Sequence, residues 1–405
     1  MSDSSKTSIG MRGGRNVATQ PANAVVRHHE SRVTNHYDVL VAGASFAGLA
    51  VAQRLGQALY PSPWAEGRVR ESLPPHGWRV ALLDRAPVGD GVTSACGAPV
   101  SIVRAMGAEA SIQLVHDRLV LHTRAGETVW PLPEPFCTFD YRRFCALAFA
   151  HAGVEFIQAA VTGRSGSTVR TSSGDFSGTV LVDATGWRAA LAEGPGSLYV
   201  NRRWMAFGIE SEVECAFEPG LHFYFLPEVR DGYAWAFPTG GFVRFGVLSY
   251  LGRSKLGPAL ERFMGRFGLR PRSVHGGFLA SGLRTPVVDG VFVAGDASGH
   301  CLPLTGEGIR TAVLAGFTCG ALIRRVLDGE CTRDHAAAEY QTFIAMSRRK
   351  FRALMWANAA LLVLPHAVIE RAASWFSWGR PLRAFMQHYL GIFSDPSEAA
   401  NAWPQ

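Results

Sequence analysis

Tyr37-Asp38-Val39-Leu40-Val41-Ala42-Gly43-Ala44-Ser45-Phe46-Ala47-Gly48 passes from an apolar run into a glycine-bearing turn, and Leu49-Ala50-Val51-Ala52-Gln53-Arg54-Leu55 follows with helical character. A continuous apolar run of this kind forms a parallel strand buried on both faces. Strand, glycine turn and helix in that order make the entry to a dinucleotide-binding fold. Gly43 permits the tight turn, Gly48 lets the helix pack closely on the strand, and the helix N-terminus aims unpaired N–H groups at a pyrophosphate. The middle position, where glycine usually lets backbone approach the phosphate, is Ser45, whose small hydroxyl can itself bond a phosphate oxygen. A plain helix–strand turn has the same local pattern, so the context decides.

Downstream, Trp78-Arg79-Val80-Ala81-Leu82-Leu83-Asp84-Arg85 reads as the second strand of that fold. It ends in Asp84, an acid placed to hold ribose hydroxyls, although it comes later than the usual spacing of about 20 residues. The stretch from about 60 to 77, with Pro61, Pro63, Pro74 and Pro75, reads as an inserted loop. A strand-end aspartate facing solvent is the plainer alternative for Asp84.

Two later segments carry more. Thr179-Val180-Leu181-Val182-Asp183-Ala184-Thr185-Gly186 is another buried strand ending in a tight turn. Gly290-Val291-Phe292-Val293-Ala294-Gly295-Asp296-Ala297-Ser298-Gly299-His300-Cys301-Leu302-Pro303-Leu304-Thr305-Gly306-Glu307-Gly308-Ile309 is far more specific. Its strand delivers the Asp296 carboxylate, suited to accept from sugar-alcohol hydroxyls. Gly306 and Gly308 then start a helix through Ala312, Leu314, Ala315, Cys319 and Leu322, letting backbone lie against a planar ring with the helix's positive end facing it.

With these motifs the chain resembles the geranylgeranyl reductase family of FAD-dependent oxidoreductases, within the group that includes aromatic hydroxylases of the para-hydroxybenzoate hydroxylase type. Similarity spans roughly 37 to 327. Gly295-Asp296-Ala297 to Pro303-Leu304-Thr305-Gly306-Glu307-Gly308-Ile309 is close to the family's flavin motif. Gly232-Tyr233-Ala234-Trp235-Ala236-Phe237-Pro238 looks like its substrate-domain strand, and Ser94-Ala95-Cys96-Gly97-Ala98-Pro99-Val100-Ser101 is similar to its Cys-Gly segment, though with less glycine. The resemblance implies an α/β fold: a Rossmann-like FAD-binding domain of glutathione-reductase type, an interleaved and mostly antiparallel β-sheet substrate domain, and a C-terminal helical region. The expected division is a disordered tail at 1–35, an FAD domain at 36–112, 136–196 and 283–330, a substrate domain at 113–135 and 197–282, and helices at 331–405. Cofactor contacts are expected at Gly43, Ser45, Phe46, Ala47, Gly48, Asp84, Arg85, Arg104, Thr185, Gly186, Gly295, Asp296, Pro303, Gly306, Gly308 and Ile309. A bacterial source is expected.

Strand-like runs at 113–135 and 197–250 alternate aromatic and β-branched residues, as in an antiparallel sheet. Phe223, Phe225, Trp235 and Phe237 are expected to line an apolar substrate chamber over the flavin, with Phe245 beside them; filling a core is the plain alternative for each. The implied reaction is saturation of a carbon–carbon double bond in an isoprenoid or other apolar substrate, with hydride from flavin N5 and a proton from a side chain. Cys96, Tyr233 and His300 are the candidate proton sources. Only one dinucleotide turn is present, so the reductant is either a transiently bound NAD(P)H or an electron-donor protein.

Rival chemistries on the same fold are an FAD-dependent monooxygenase acting on an apolar substrate and a non-redox, flavin-dependent cyclase or flavin-binding scaffold. A halogenase depends on a lysine between its pockets, and Lys255 is the only lysine in the folded middle of the chain.

Composition narrows the remaining classes. The chain has 405 residues, 47% hydrophobic and 18% charged, which suits a globular protein with a large core. The net charge of +7 rests on arginine, with lysine only at positions 6, 255 and 350. No basic run is interleaved with aromatics, which argues against nucleic acid. The 7 cysteines are odd in number and never form a Cys-x-x-Cys pair, so neither a disulfide framework nor a zinc site is expected and the compartment is reducing. No metal is expected. Residues 1–35 lack the apolar run of a secretory signal, and the apolar stretch Ala359 to Ile369 is interrupted by Pro365 and too short to span a bilayer. A basic group (Arg348, Arg349, Lys350, Arg352) precedes Trp356, Trp375, Phe376, Trp378, Arg380 and Arg383, which suits peripheral membrane contact as well as packing on the FAD domain. The expected location is cytoplasmic or peripheral to the membrane.

Overall fold

A computed structural model describes residues 35–56, 77–91, 94–124, 126–194, 197–364, 368, 371 and 379–394. The expected tail before residue 35, nearly all of the proline-bearing insertion, and Trp375, Phe376 and Trp378 lie outside these residues.

Two eight-stranded sheets organise the described chain. The first sheet has β1 (His36–Ala42) between β2 (Val80–Asp84) and β9 (Gly174–Asp183), with β6 (Glu155–Gln158) beyond β2 and β16 (Val291–Val293) beyond β9. All four of these pairings are parallel. The antiparallel members β7 (Val161–Ser165), β8 (Thr168–Thr171) and β15 (Val287–Val288) extend its margins. Parallel strands must be covered on both faces, which is why Val39, Leu40, Val41 and Ala42 are all fully buried.

Helix α1 (Phe46–Gly56) covers one face, and α5 (Ile309–Leu327) packs across it. The crossing is close because Gly316 and Gly320 stand on the contact: a Cβ on Gly316 would fall 2.6 Å from the Ala47 carbonyl oxygen, and one on Gly320 2.8 Å from that of Val51. Arg54 lies over the Phe317 ring at 4.1 Å. Further shielding comes from α3 (Tyr141–Ala150), which Asp140 caps by accepting from Arg143 N at 2.7 Å, and from α6 (Arg333–Met346), capped by Thr332.

The second sheet runs in the order β14 (Val274–Ala280), β10 (Met205–Glu214), β13 (Phe242–Ser249), β12 (Gly232–Pro238), β11 (Leu221–Tyr224), β4 (Ile112–Thr123), β5 (Gly126–Phe139) and β3 (Gly97–Pro99). Every pairing is antiparallel except β11 with β4. β3 joins this sheet from a stretch that sequence assigns to the nucleotide-binding unit, and α2 (Val100–Ala105) follows it directly.

The two faces of this sheet do different work. One packs Val213, Ala234, Ala236, Val243, Phe245 and Val247 on α4 (Leu256–Gly265). The other turns Tyr233, Trp235, Phe237 and Leu248 toward the first sheet. Phe245 therefore belongs to a helix-side core, 5.6 Å from Phe263 and 5.2 Å from Phe267, and the sequence placement of it in the chamber is corrected. Finally α7 (Arg348–Leu361) and α8 (Gly379–Leu390) fold back over the space between the sheets.

Candidate active site

A cavity of about 1350 Å³ opens between the two sheets, larger than the roughly 300–1,000 Å³ of ordinary small-molecule sites. It begins at the C-terminal ends of β1, β2 and β9, where the strand order runs from β1 to β2 on one side and to β9 on the other, the place where such sheets bind ligands. It then continues along the aromatic face of the second sheet to Ala357, Leu361, Phe385 and Tyr389 of the C-terminal helices.

At the first end the glycine turn is fixed from several sides. Gly43 has φ +106°, and a Cβ on Gly48 would run into the Gly43 carbonyl oxygen. Asp84 accepts from Ala44 N at 2.7 Å and from Ala86 N at 3.2 Å, tying the end of β2 to the turn while still facing the cavity. Ser45, the departure from glycine, accepts from the Tyr141 hydroxyl at 3.1 Å. Ser45, Phe46 and Ala47 line the cavity at the start of α1, where the first N–H groups of a helix have no intrahelical partner.

The Ala-Thr-Gly turn is built on a buried carboxylate. Asp183 accepts from Thr185 N and Oγ1 at 3.0 and 2.7 Å, and from Leu191 N and Ala192 N at 2.7 and 2.8 Å. Burial pushes its pKa up and those donors oppose the shift. Asp183 thereby fixes Thr185 and Gly186 on the cavity wall. Beside them Gly295 takes φ +67°, and a Cβ there would fall 2.9 Å from that of Ala47. The Asp296 carboxylate faces the cavity and accepts from Ala280 N at 3.2 Å; burial raises its pKa to about 6.

The loop before α5 is held by the second sheet and the C-terminus together. Tyr250 donates to the Leu304 carbonyl at 2.8 Å and Tyr233 to the Thr305 carbonyl. Arg310 is almost fully buried, pairs with Glu307 at 2.9 Å, and donates to the carbonyls of Tyr389, Leu390 and Ile392 at 3.2, 3.2 and 2.8 Å. Gly306, Gly308 and Ile309 consequently present backbone to the cavity at the positive end of α5.

The sequence candidates divide accordingly. Gly43, Ser45, Phe46, Ala47, Asp84, Arg85, Thr185, Gly186, Gly295, Asp296, Gly306, Gly308 and Ile309 share the cavity, as do Phe223, Phe225, Trp235 and Phe237. Gly48 lies behind the turn as its packing partner. Arg104 points to the surface and pairs with Glu109 at 2.8 Å. Pro303 faces a smaller neighbouring hollow.

The three proton-source candidates fare differently from one another. Cys96 lines the cavity with φ +53°, but burial raises its thiol to about 12 and the thiol hydrogen goes to the Ser94 carbonyl at 3.2 Å. The Tyr233 hydroxyl is spent on Thr305, and burial raises its pKa. His300 is fully buried outside the cavity wall against Phe393; its Nδ1 accepts from Gly295 N at 3.2 Å and burial lowers its pKa to about 3.

Sequence reasoning passes over one polar group in the aromatic chamber. Glu210 is 4% exposed, accepts from Trp235 Nε1 at 2.8 Å and lies 3.3 Å from His275 Nε2; all three residues line the cavity. Lys255 and Lys350, the lysines among the described residues, do not line it. No metal-binding group of His, Cys, Asp or Glu occurs among the described residues, and the 7 cysteines are free.

Glycines with no room for a Cβ, a helix start, and carboxylates at the strand ends together make a cradle that fits FAD. No family model matches the chain. Digeranylgeranylglycerophospholipid reductase of Methanococcus vannielii is 28% identical over 131 residues, which are 30% of this chain and 34% of that protein. The enzyme of the same name from Methanoculleus marisnigri is 24% identical over 332 residues, 74% of this chain and 80% of that protein. The chain thus spans about a third of the length of the first curated relatives it matches, and these archaeal sources lend no support to the expected bacterial one. Among solved structures, a geranylgeranyl bacteriochlorophyll reductase-like protein from Thermoplasma acidophilum matches with a TM-score of 0.74 at 17% identity, covering 90% of this chain and 99% of that one. Klebsiella pneumoniae HpxO, solved with FAD and uric acid, matches at 0.64 and 17% identity over 89% and 97%. In sequence and fold the chain is similar to geranylgeranyl reductases, on the flavoprotein architecture shared with hydroxylases.

Proposed function

We propose that the protein is an FAD-dependent reductase that saturates carbon–carbon double bonds of an isoprenoid or similar apolar substrate. The observation that carries this reading is the continuity of one cavity, from the dinucleotide turn at Gly43 to a chamber walled by Phe223, Trp235 and Phe237. FAD would be held by the 43–47 turn, Asp84, Thr185–Gly186, Gly295–Asp296 and the 304–309 loop, and would supply a hydride. Residues 36–112, 136–196 and 283–330 take the cofactor role, apart from 97–99 and 136–139, which stand in the second sheet; residues 113–135 and 197–282 take the substrate role, and the described helices after 331 the role of cover.

The chain's own part is to bind, orient and exclude water. Leu119, Leu121, Leu132 and Phe136 extend the apolar wall along the second sheet, so a long hydrocarbon can lie flat with its double bonds held in place. Leu361, Leu362 and Leu364 close the far side.

We place the loading end of the chamber at a lipid surface. Trp356 and Val363 are 76% and 81% exposed beside wall residues Asn358, Leu361 and Leu364, and the exposed Arg348, Arg349 and Arg352 stand on the same helix. No helix among the described residues is long and apolar enough to cross a membrane. The electrons come from NAD(P)H bound transiently or from a donor protein. The test is anaerobic reduction of the FAD-loaded protein followed by titration with fractionated lipid extracts: a polyprenyl fraction should reoxidise the flavin without oxygen, and failure of every polyprenyl fraction would remove the assignment.

A further inference from the structure

Across the chamber face of the second sheet, four residues from four strands stand in one row. His275 on β14 pairs in register with Glu210 on β10, Glu210 with Gly246 on β13, and Gly246 with Trp235 on β12. Residues opposite one another in an antiparallel sheet share a face. The row works only because its third member is glycine: a Cβ at Gly246 would fall inside the Trp235 ring system. The indole therefore lies across the Gly246 position and its Nε1 donates to Glu210 Oε2 at 2.8 Å, leaving Oε1 to His275 Nε2 at 3.3 Å.

We propose that this Glu210–His275 pair is the proton source of the chamber. The inference rests on the reductase reading above. Adding hydride to one alkene carbon leaves the other carbon to take a proton: the imidazolium N–H bond of His275 breaks, the alkene electron pair forms the new C–H bond, and neutral imidazole remains. The His275 side chain is 31% exposed, so part of the ring stays within reach of water that can return the proton, while its Nε2 is turned inward to Glu210, whose side chain is 5% exposed.

Elimination supports the same pair. In this half of the cavity the Tyr233 and Tyr250 hydroxyl protons go to the Thr305 and Leu304 carbonyls, and the Cys96 thiol proton goes to Ser94. The neighbouring Glu210 carboxylate raises the pKa of His275 above its ordinary value, with burial opposing; Glu212 adds to the rise and Arg244 counters it, and at 3.3 Å without hydrogen-bond geometry the His275 Nε2 is not given up to a partner as those other groups are.

Two readouts test the assignment. The first needs neither flavin nor substrate: NMR titration of the histidines, with His275 assigned by its loss in His275→Gln. His275 should titrate above the unperturbed value of about 6.5 and fall in Glu210→Gln; titration at or below the unperturbed value in the unaltered protein overturns the proposal. The second is anaerobic single-turnover reoxidation by a polyprenyl substrate. His275→Gln and Glu210→Gln should retain FAD and its absorbance spectrum yet reoxidise on the order of 100-fold more slowly. Reoxidation at the parental rate by both variants overturns the proposal. Absence of reoxidation in the parent defeats the reductase reading instead, and the titration still decides whether the pair holds its proton.

Discussion

The Tyr389 hydroxyl of α8 donates to the Glu307 carboxylate at 3.1 Å, joining the C-terminal helix to the loop that presents Gly306 and Gly308 to the cavity. Arg310 completes the joint by pairing with Glu307 and reaching the carbonyls at the end of α8. Helix α8 is thus tied directly to the loop proposed to hold the cofactor. Arg310→Ala leaves the buried Glu307 without its cationic partner, with the Tyr389 hydroxyl still donating to it, and loss of one member of a buried pair costs about 3–5 kcal/mol. Chemical denaturation should show that loss together with faster release of FAD. Arg310→Lys should not restore it, because a single ammonium cannot serve a carboxylate and three carbonyls at once.

Gly48→Ala places a methyl group against the Gly43 carbonyl oxygen, with no flexible side chain to give way. Overpacking at a rigid contact costs about 1–3 kcal/mol, and here it deforms the turn itself. The variant should purify with much less than stoichiometric FAD and a lowered Tm, whereas a surface substitution such as Arg104→Ala should change neither.

Asp296 gives the cofactor-free protein a pH signature. Its folded pKa, raised to about 6 from the ordinary 3.8, means that between those values the folded state keeps a proton the unfolded chain has lost. The stability of the cofactor-free protein therefore falls as pH rises through that window and levels off above it. Bound FAD whose hydroxyls donated to the ionised carboxylate would reverse the preference, so FAD affinity should rise as pH increases through about 6. Fluorescence titration of FAD across that range should show the rise, and Asp296→Asn should flatten it.

Trp235→Phe keeps the ring but removes the donor to Glu210. Leaving a buried acceptor short of a partner costs about 1–3 kcal/mol. Urea denaturation should show that loss, and Glu210→Gln combined with Trp235→Phe should cost less than the two single losses added together, as for any coupled pair.

How far the sequence carries is clear from particular residues. The 37–55 and 290–309 stretches were legible because each packs its whole logic into one short segment: strand, turn glycine and helix start are neighbours in the chain. Ser45 read as a weakened glycine position, and its partner Tyr141, 96 residues on, is invisible without the fold. Glu210 and His275 are 65 residues apart and meet only through strand register, so no spacing rule could pair them. The aromatic strands showed alternation but not which face meets the cavity. In β12 both faces are buried, so Trp235 and Phe237 point into the chamber while Ala234 and Ala236 sit on the α4 side with Phe245. His300 lies within the most informative motif, yet its ring turns back to the Gly295 amide and supports the turn from behind.

The reaction proposed for the bound flavin is reduction of an apolar alkene. The most direct measurement is the mass of the product formed when the FAD-loaded, anaerobically reduced protein meets a polyprenyl lipid, with oxygen then admitted to a parallel sample. A gain of two hydrogens per double bond in both samples is the expected result. A gain of one oxygen atom in the aerated sample, or a rearranged product of unchanged mass, would contradict it.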